Sequence, residues 1–210
     1  MPPKDTYLEF AKFSPTTLAD VLPPGQALAA SIRPLWPGMP RVAGAVYTVR
    51  CEVGDNLMLH AAIYRAPRGT VIVVEAPDSS VALAGGNVCA VALSRGIQGF
   101  VLDGMIRDIA EIRAMQFPVF ARGVTPVAGV KNAIGALNSP VRCGGVSIEP
   151  GDAIVGDEEG IVVIPHSALE STMKAAARKV AKEADQSLEE WETEHRNRVD
   201  RILHEKGFLE

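Results

Sequence analysis

The stretch "GFVLDGMIRDIAEIRAMQFPVFAR", residues 99–122, holds three patterns in succession. Residues 99–103 are apolar and read as a strand, residues 108–116 place Ile109 and Ile112 at helical spacing, and "PVFAR" at 118–122 reads as a strand again. Gly104 is taken as the turn out of the first strand, which sets Arg107 and Asp108 at the mouth of the following helix. A strand, a short helix and a strand in so few residues describe a parallel βαβ unit.

Working outward, the alternation continues upstream. "TVIVVEA" (70–76) reads as a strand, "NVCAVALSR" (87–95) and "NLMLHAAIYRA" (56–66) as helices, and "VAGAVYTVRC" (42–51) as a strand entered through the Pro-rich "IRPLWPGMPR" (32–41). Ser14 or Thr16, with Pro15 beside them, caps a helix over 14–22. Downstream, "VRCGGVSIEPGDAIVGDEEGIVVIP" (141–165) reads as short strands joined by turns at "EPGD" and "DEEG". From residue 166 to about 206 the text becomes one long charged helical segment. Leu169, Met173, Ala176, Val180 and Ala184 can lie on the body, while Leu188, Trp191, His195, Val199, Ile202 and Leu203 form a thin stripe on a projecting half. That stripe suits a partner subunit or a solvated helix. The organisation is therefore an α/β domain over 1–165 and a helical extension over 166–210.

With 210 residues, 47% hydrophobic, the chain can bury one sizeable core. A net charge of −4 lacks the basic footprint of nucleic-acid binding. "MPPKDTYLEF" has no basic stretch followed by an apolar one, and no run of 18 apolar residues occurs, so a cytoplasmic protein without membrane contact is expected. Cys51, Cys89 and Cys143 are odd in number and widely spaced, as thiols in a reducing compartment are.

Ligands of open α/β sheets gather at the carboxyl ends of strands. Two such places stand out. Gly85 and Gly86 open a helix at Asn87, where unobstructed N–H groups and the positive helix end suit a carboxylate or phosphate; an ordinary tight turn is the alternative. Arg107 offers a planar fork for a carboxylate and Asp108 a hard oxygen for Mg²⁺ or Mn²⁺; the alternative is a helix cap beside a surface ion pair. His60 lies on an apolar helix face and reads as a packed histidine. No GxSxG, GxGxxG or GxxxxGK[ST] pattern occurs, which removes acyl-transfer and nucleotide chemistry from consideration.

Four blocks, "RPLWPGMPRVAGAVYTVRC", "GDNLMLHAAI", "GFVLDGMIRDIAEIRAMQFPVFARGVTP" and "VRCGGVSIEPGDAIVGDEEGIVVIP", together resemble the RraA-like family over roughly residues 14–185. That family includes the regulators of ribonuclease E activity and the divalent-metal-dependent 4-hydroxy-4-methyl-2-oxoglutarate / 4-carboxy-4-hydroxy-2-oxoadipate aldolases. The resemblance implies an α/β/α (swivelling β/β/α-type) sandwich assembled as a homotrimer or homohexamer with sites between subunits. It implies a carbon–carbon lyase (class II) acting on a short 2-oxo dicarboxylic acid through a pyruvate enolate, by aldol cleavage or oxaloacetate decarboxylation. Arg107 would grip the substrate, Asp108 would hold Mg²⁺ or Mn²⁺, and the amides of Asn87 and Val88 would seat the carboxylate. A glutamate from a neighbour's C-terminal region would complete the site, with Glu183 as candidate and Glu189, Glu190 and Glu194 as rivals. The other branch implies a non-enzymatic protein-interaction module. The likeness departs at one position. Family aldolases carry an acid separated from the Arg-Asp pair by twenty intervening residues, where this chain has Gly86. Losing a general acid/base costs about 10²- to 10⁴-fold in rate.

Overall fold

The computed structural model describes residues 4–77 and 80–208; Met1–Pro3, part of the terminus read above for a leader, lie outside them. Helices α1 (Lys4–Leu8) and α2 (Pro15–Ala19) precede strands β1 (Arg33–Pro34) and β2 (Val42–Arg50). Then come α3 (Leu57–Ala62), β3 (Thr70–Glu75), α4 (Gly86–Ser94), β4 (Gly99–Ile106), α5 (Ile109–Ala114) and β5 (Val119–Val124). Short strands β6 (Ala136–Leu137), β7 (Val141–Cys143) and β8 (Val146–Ile148) lead to β9 (Ala153–Asp157) and β10 (Gly160–Ile164). Helices α6 (Leu169–Asp185) and α7 (Leu188–Glu205) end the chain.

The main sheet runs β1-β5-β4-β3-β2-β9-β10, with β6 beside β2. Strands β2 to β5 pair in parallel, as the alternating sequence predicts, and β9 joins β2 antiparallel. Residues 27–34 nearly close the sheet: β1 pairs with β5 at one edge, and Ala27 bridges Val162 of β10 at the other. In the central strand Val71, Ile72, Val73 and Val74 are all fully buried, so both sheet faces must be covered. Leu59, Cys89, Ala92 and Ile112 from α3, α4 and α5 cover one face. Tyr7, Phe10, Leu18, Leu169 and Ala176, from the N-terminal segment and α6, cover the β9–β10 side. This is the mixed α/β layering with a C-terminal helical part that the sequence implied.

Two expectations are corrected. Gly104 is no turn: β4 continues to Ile106 through a register shift between Leu102 and Met105. A Cβ at Gly104 would sit 2.8 Å from Leu83 Cδ1, so the glycine admits the 82–84 segment against the strand. The extension beyond residue 166 is not one helix either. It breaks at Gln186, where Ser187 starts α7 with a reciprocal cap: its hydroxyl accepts from the Glu190 N–H, and Glu190 Oε2 accepts from the Ser187 N–H. No residue of α7 is buried, whereas α6 buries Leu169, Thr172 and Ala176.

A buried carboxylate pins the loop that later borders the site. Asp55 accepts hydrogen bonds from the N–H groups of Leu57 (2.7 Å), Asn132 (2.6 Å) and Ala133 (3.0 Å). Burial alone would push its carboxyl up; the three backbone donors, with Lys131 nearby, outweigh burial and hold it below the usual value of 3.8. The stability Asp55 contributes is therefore full above its unfolded pKa and is lost as pH falls through the lowered folded value. Urea midpoints should fall as pH drops below about 4, and Asp55→Asn should lower the midpoint at pH 7 and flatten part of that acid decline. A variant with the wild-type profile would remove Asp55 from this role.

Candidate active site

The C-terminal end of β4, the start of α4, the start of α3 and the 128–131 loop converge on a cavity of ≈ 80 Å³. Sites for drug-sized ligands span about 300–1,000 Å³, so within one chain the space suits a small metabolite and not a nucleotide. Gly85, Asn87, Val88, Arg107 and Asp108 line it together, so the two places singled out in the sequence are one place.

Asp108 builds the junction. It sits in the left-handed region (φ 61°, ψ 39°), sparsely populated for residues other than glycine. It occupies the cap position of α5, yet its side chain makes no cap bond there; instead Oδ2 accepts from the Gly86 N–H, 3.0 Å away, at the start of α4. The helix-cap alternative for this carboxylate is thus replaced by a bond across to a different helix. Arg107 Nε lies 3.6 Å from the same oxygen, and the Arg107 N–H donates to Ala84 O (3.1 Å). Gly85 is needed for this approach: a Cβ there would collide with Asp108 Oδ2 and sit 3.1 Å from Arg107 Cγ and Nε. With Gly86 N–H bound to Asp108 and Cys89 N–H bound to Gly85 O, the N–H groups of Asn87 and Val88 remain for a guest, since the first residues of a helix have no intrahelical acceptor.

Beside the start of α4, Glu111 of α5 fills the space a side chain at Gly86 would take. A Cβ on Gly86 would collide with Glu111 Oε2 and stand 3.1 Å from Glu111 Cδ. The carboxylate beside position 86 therefore comes from a residue four positions after Arg107. Sequence reading passed over it, although "RDIAE" carries the signal: Glu111 stands one helical turn beyond Arg107.

Asn56, His60 and Lys131 also line the cavity. His60, read as a packed histidine, is half-buried at this wall. Burial pushes its imidazole down, the Lys131 and Arg107 cations push it further, and a hydrogen bond with Leu83 and the Asp55 charge oppose them; the net shift is downward from 6.5, leaving it neutral at pH 7. The spacing of "GDN" before α3 hinted at Asn56, whereas a single lysine in a loop gave no signal. Glu183 lies elsewhere in the chain, on α6, where Lys179 bonds it at 2.5 Å and it borders a groove with Asp20 and Trp191. Of its rivals, Glu190 caps α7 and Glu194 accepts from Gln186. Asp103 pairs with Arg122 and accepts from the Gly144 N–H, outside the cavity.

The three cysteines are buried and unpaired, and burial pushes their thiols up, Cys51 to about 11, so none is a thiolate nucleophile. Among the described residues no helix is long and apolar enough to cross a membrane.

Comparison with known proteins identifies the family. A Halalkalibacterium halodurans protein with a provisional 4-hydroxy-4-methyl-2-oxoglutarate aldolase name is 42% identical over 84% of each chain. The 4-hydroxy-4-methyl-2-oxoglutarate aldolase of Thermus thermophilus is 32% identical over 71% of this chain and 91% of its own. The crystal structure of Streptomyces coelicolor RraAS2, described as an unusual member of the RNase ES inhibitor RraA family, superposes with a TM-score of 0.75 at 26% identity, covering 94% of this chain and 100% of that one. Residues 16–163 match the Aldolase/RraA description of the RraA-like family, and the chain belongs to that aldolase-like family.

Proposed function

We propose that the chain is a divalent-metal-dependent carbon–carbon lyase that releases pyruvate from a short 2-oxo dicarboxylic acid. The observation that carries this reading is the Glu111 carboxylate lying where a residue-86 side chain would lie, beside an intact Arg107–Asp108 pair. The site retains an acid of the kind the resemblance places at position 86.

The donor set fits a hard cation. Asp108 and Glu111 offer carboxylate oxygens around one helix start, and no group of three or more His, Cys, Asp or Glu ligands occurs among the described residues. Two carboxylates suit Mg²⁺ or Mn²⁺ that keeps several waters, not a dry all-protein cage. Such a cation, when bound, supplies Lewis-acid polarisation of the 2-oxo group.

The chain's own residues do the rest. The Asn87 and Val88 N–H groups and the positive end of α4 seat the C1 carboxylate. Arg107 orients the 2-oxo region and balances the negative charge that develops on it. In aldol cleavage Glu111 takes the proton of the C4 hydroxyl, C4–O becomes a carbonyl, the C3–C4 bond breaks, and its electron pair passes into the C2 carbonyl to give the pyruvate enolate. Glu111 then returns the proton to C3. Decarboxylation of oxaloacetate reaches the same enolate by loss of CO₂ and needs only the final protonation, so one site can serve both.

The exposed stripe of α7, including Leu188, Trp191 and Ile202, is assigned to a second copy of the chain in a homotrimer or homohexamer, an arrangement that could bring Glu183 or a neighbouring glutamate to another subunit's cavity. The likeness to an RNase ES inhibitor supports a second reading, in which that stripe binds a foreign protein instead.

Pyruvate release from 4-hydroxy-4-methyl-2-oxoglutarate and from oxaloacetate, followed with and without Mg²⁺, tests the enzyme reading. Arg107→Ala and Asp108→Ala should each abolish turnover, and metal-independent activity untouched by either would overturn it. Glu111→Gln should lower kcat about 10²- to 10⁴-fold with KM changed little. Adding Gly86→Asp to Glu111→Ala should recover part of the loss, because the new acid occupies the vacated space. Removal of residues 187–210 should reduce the mass measured by light scattering; an unchanged oligomer would clear α7 of that role.

A further inference from the structure

A second and larger cavity, of ≈ 320 Å³, lies at the amino end of β3, whereas the site described above lies toward the carboxyl ends of the strands. Ala45 and Val46 of β2, Pro67, and the side chains of Tyr7 and Tyr47 line it. Gly69 borders it with open space: its backbone is left-handed (φ 87°), its N–H donates to Gly96 O at 2.8 Å, and no atom lies within 4 Å of where a Cβ would stand. None of these groups serves the chemistry proposed above.

Two arginines at this cavity lack carboxylate partners. Arg65 and Arg68 both line it, and neither forms an ion pair among the described residues. Both are nevertheless held in place. Arg65 Nη1 donates to Ala61 O of α3 at 3.0 Å. Arg68 lies against the backbone at Gly96, where a Cβ would stand 2.6 Å from its Cγ and 2.9 Å from its Cζ, so the bare glycine makes room for the guanidinium. Their neighbour Arg95, by contrast, is spent on Tyr64: its guanidinium carbon lies 5.4 Å from the ring centroid, and its Nη2 donates to Tyr64 O at 3.2 Å. Tyr47 is half-buried, and its hydroxyl forms no hydrogen bond among the described residues.

We propose that this cavity is a second ligand site, built for a flat aromatic carboxylate. The unpaired arginines specify the acid, because a guanidinium is always charged and its planar fork matches a carboxylate through two parallel N–H groups. Tyrosine rings and aliphatic walls specify the rest of the ligand, since rings pack in offset or edge-on contact and Arg lies well against an aromatic face. The volume stands at the low end of the range of about 300–1,000 Å³ for organic ligands, room for one or two rings and not for a long acyl chain. An inorganic anion would answer the arginines and leave the apolar wall uncovered. The site is separate from the keto-acid cavity and does not depend on that reading.

Isothermal titration of the full-length protein with 2-naphthoate, against 2-naphthylmethanol and inorganic phosphate, tests it. The acid should bind once per chain and at least about tenfold more tightly than either control, the effect expected of a charge-assisted contact. Combining Arg65→Gln with Arg68→Gln should reduce the acid to the affinity of the alcohol. Arg68→Lys should keep part of the preference, and Tyr47→Leu should weaken acid and alcohol alike, with circular dichroism unchanged in each variant. Arg107→Ala should leave naphthoate binding intact. Absence of binding, equal affinity for acid and alcohol, phosphate binding as tight as that of naphthoate, or a double arginine variant that binds the acid like the wild type overturns the proposal. Loss of binding in Arg107→Ala places the acid in the cavity at Arg107 instead. A smaller oligomer in light scattering of the double arginine variant gives this face to a second copy of the chain, and either result overturns the proposal too.

Discussion

One hydrogen bond organises the site: the Asp108 carboxylate accepting from the first N–H of α4. Through it the end of one parallel strand is locked to the start of a helix that lies earlier in the chain. The bond exists only because position 85 has no side chain to intervene. It also explains the left-handed backbone at Asp108, which turns the carboxylate away from its own helix and across to the neighbour. A strained residue held by its surroundings is found where geometry matters more than local stability.

That lock decides which groups are free. With Gly86 N–H occupied, the next two amides are left without an intrahelical acceptor, and Arg107 lies near the same oxygen that fixes the helix. The carboxylate of Glu111 then falls into the space beside Gly86, so the acid belongs to α5 and the space to α4. A carboxylate is defined by where its oxygens stand, and two backbones can deliver it to one point. Glycine at 86 and glutamate at 111 are therefore one feature of the α4–α5 contact.

The opposite requirement, rigidity without strain, is met at the α3 wall. Asp55 has its charge satisfied by three backbone donors, which offset the cost of burying it. The loop carrying Lys131 inherits that order. The two walls of the cavity are thus anchored separately, one through Asp108 and the other through Asp55.

Much of this was legible in the sequence because it is local. Hydrophobic periodicity gave the strand–helix alternation, "EPGD" and "DEEG" gave the closing turns, and Gly85–Val88 and Arg107–Asp108 announced themselves as helix-start and charge-pair signals. What escaped depends on distance along the chain. Gly104 looked like a turn because its packing against Leu83 is a tertiary contact, and the break at Gln186 was hidden in a run of good helix formers. Lys131 carried no local mark, His60 read only as a packed histidine, and Glu111 was passed over although it stands four residues beyond Arg107. Sequence by itself determined the elements and the chemistry available in each, since periodicity and side-chain type act over a few residues. Only the tertiary structure decided which of those groups meet, because a glycine's missing Cβ and a carboxylate two dozen positions away become neighbours through the packing of α5 against α4.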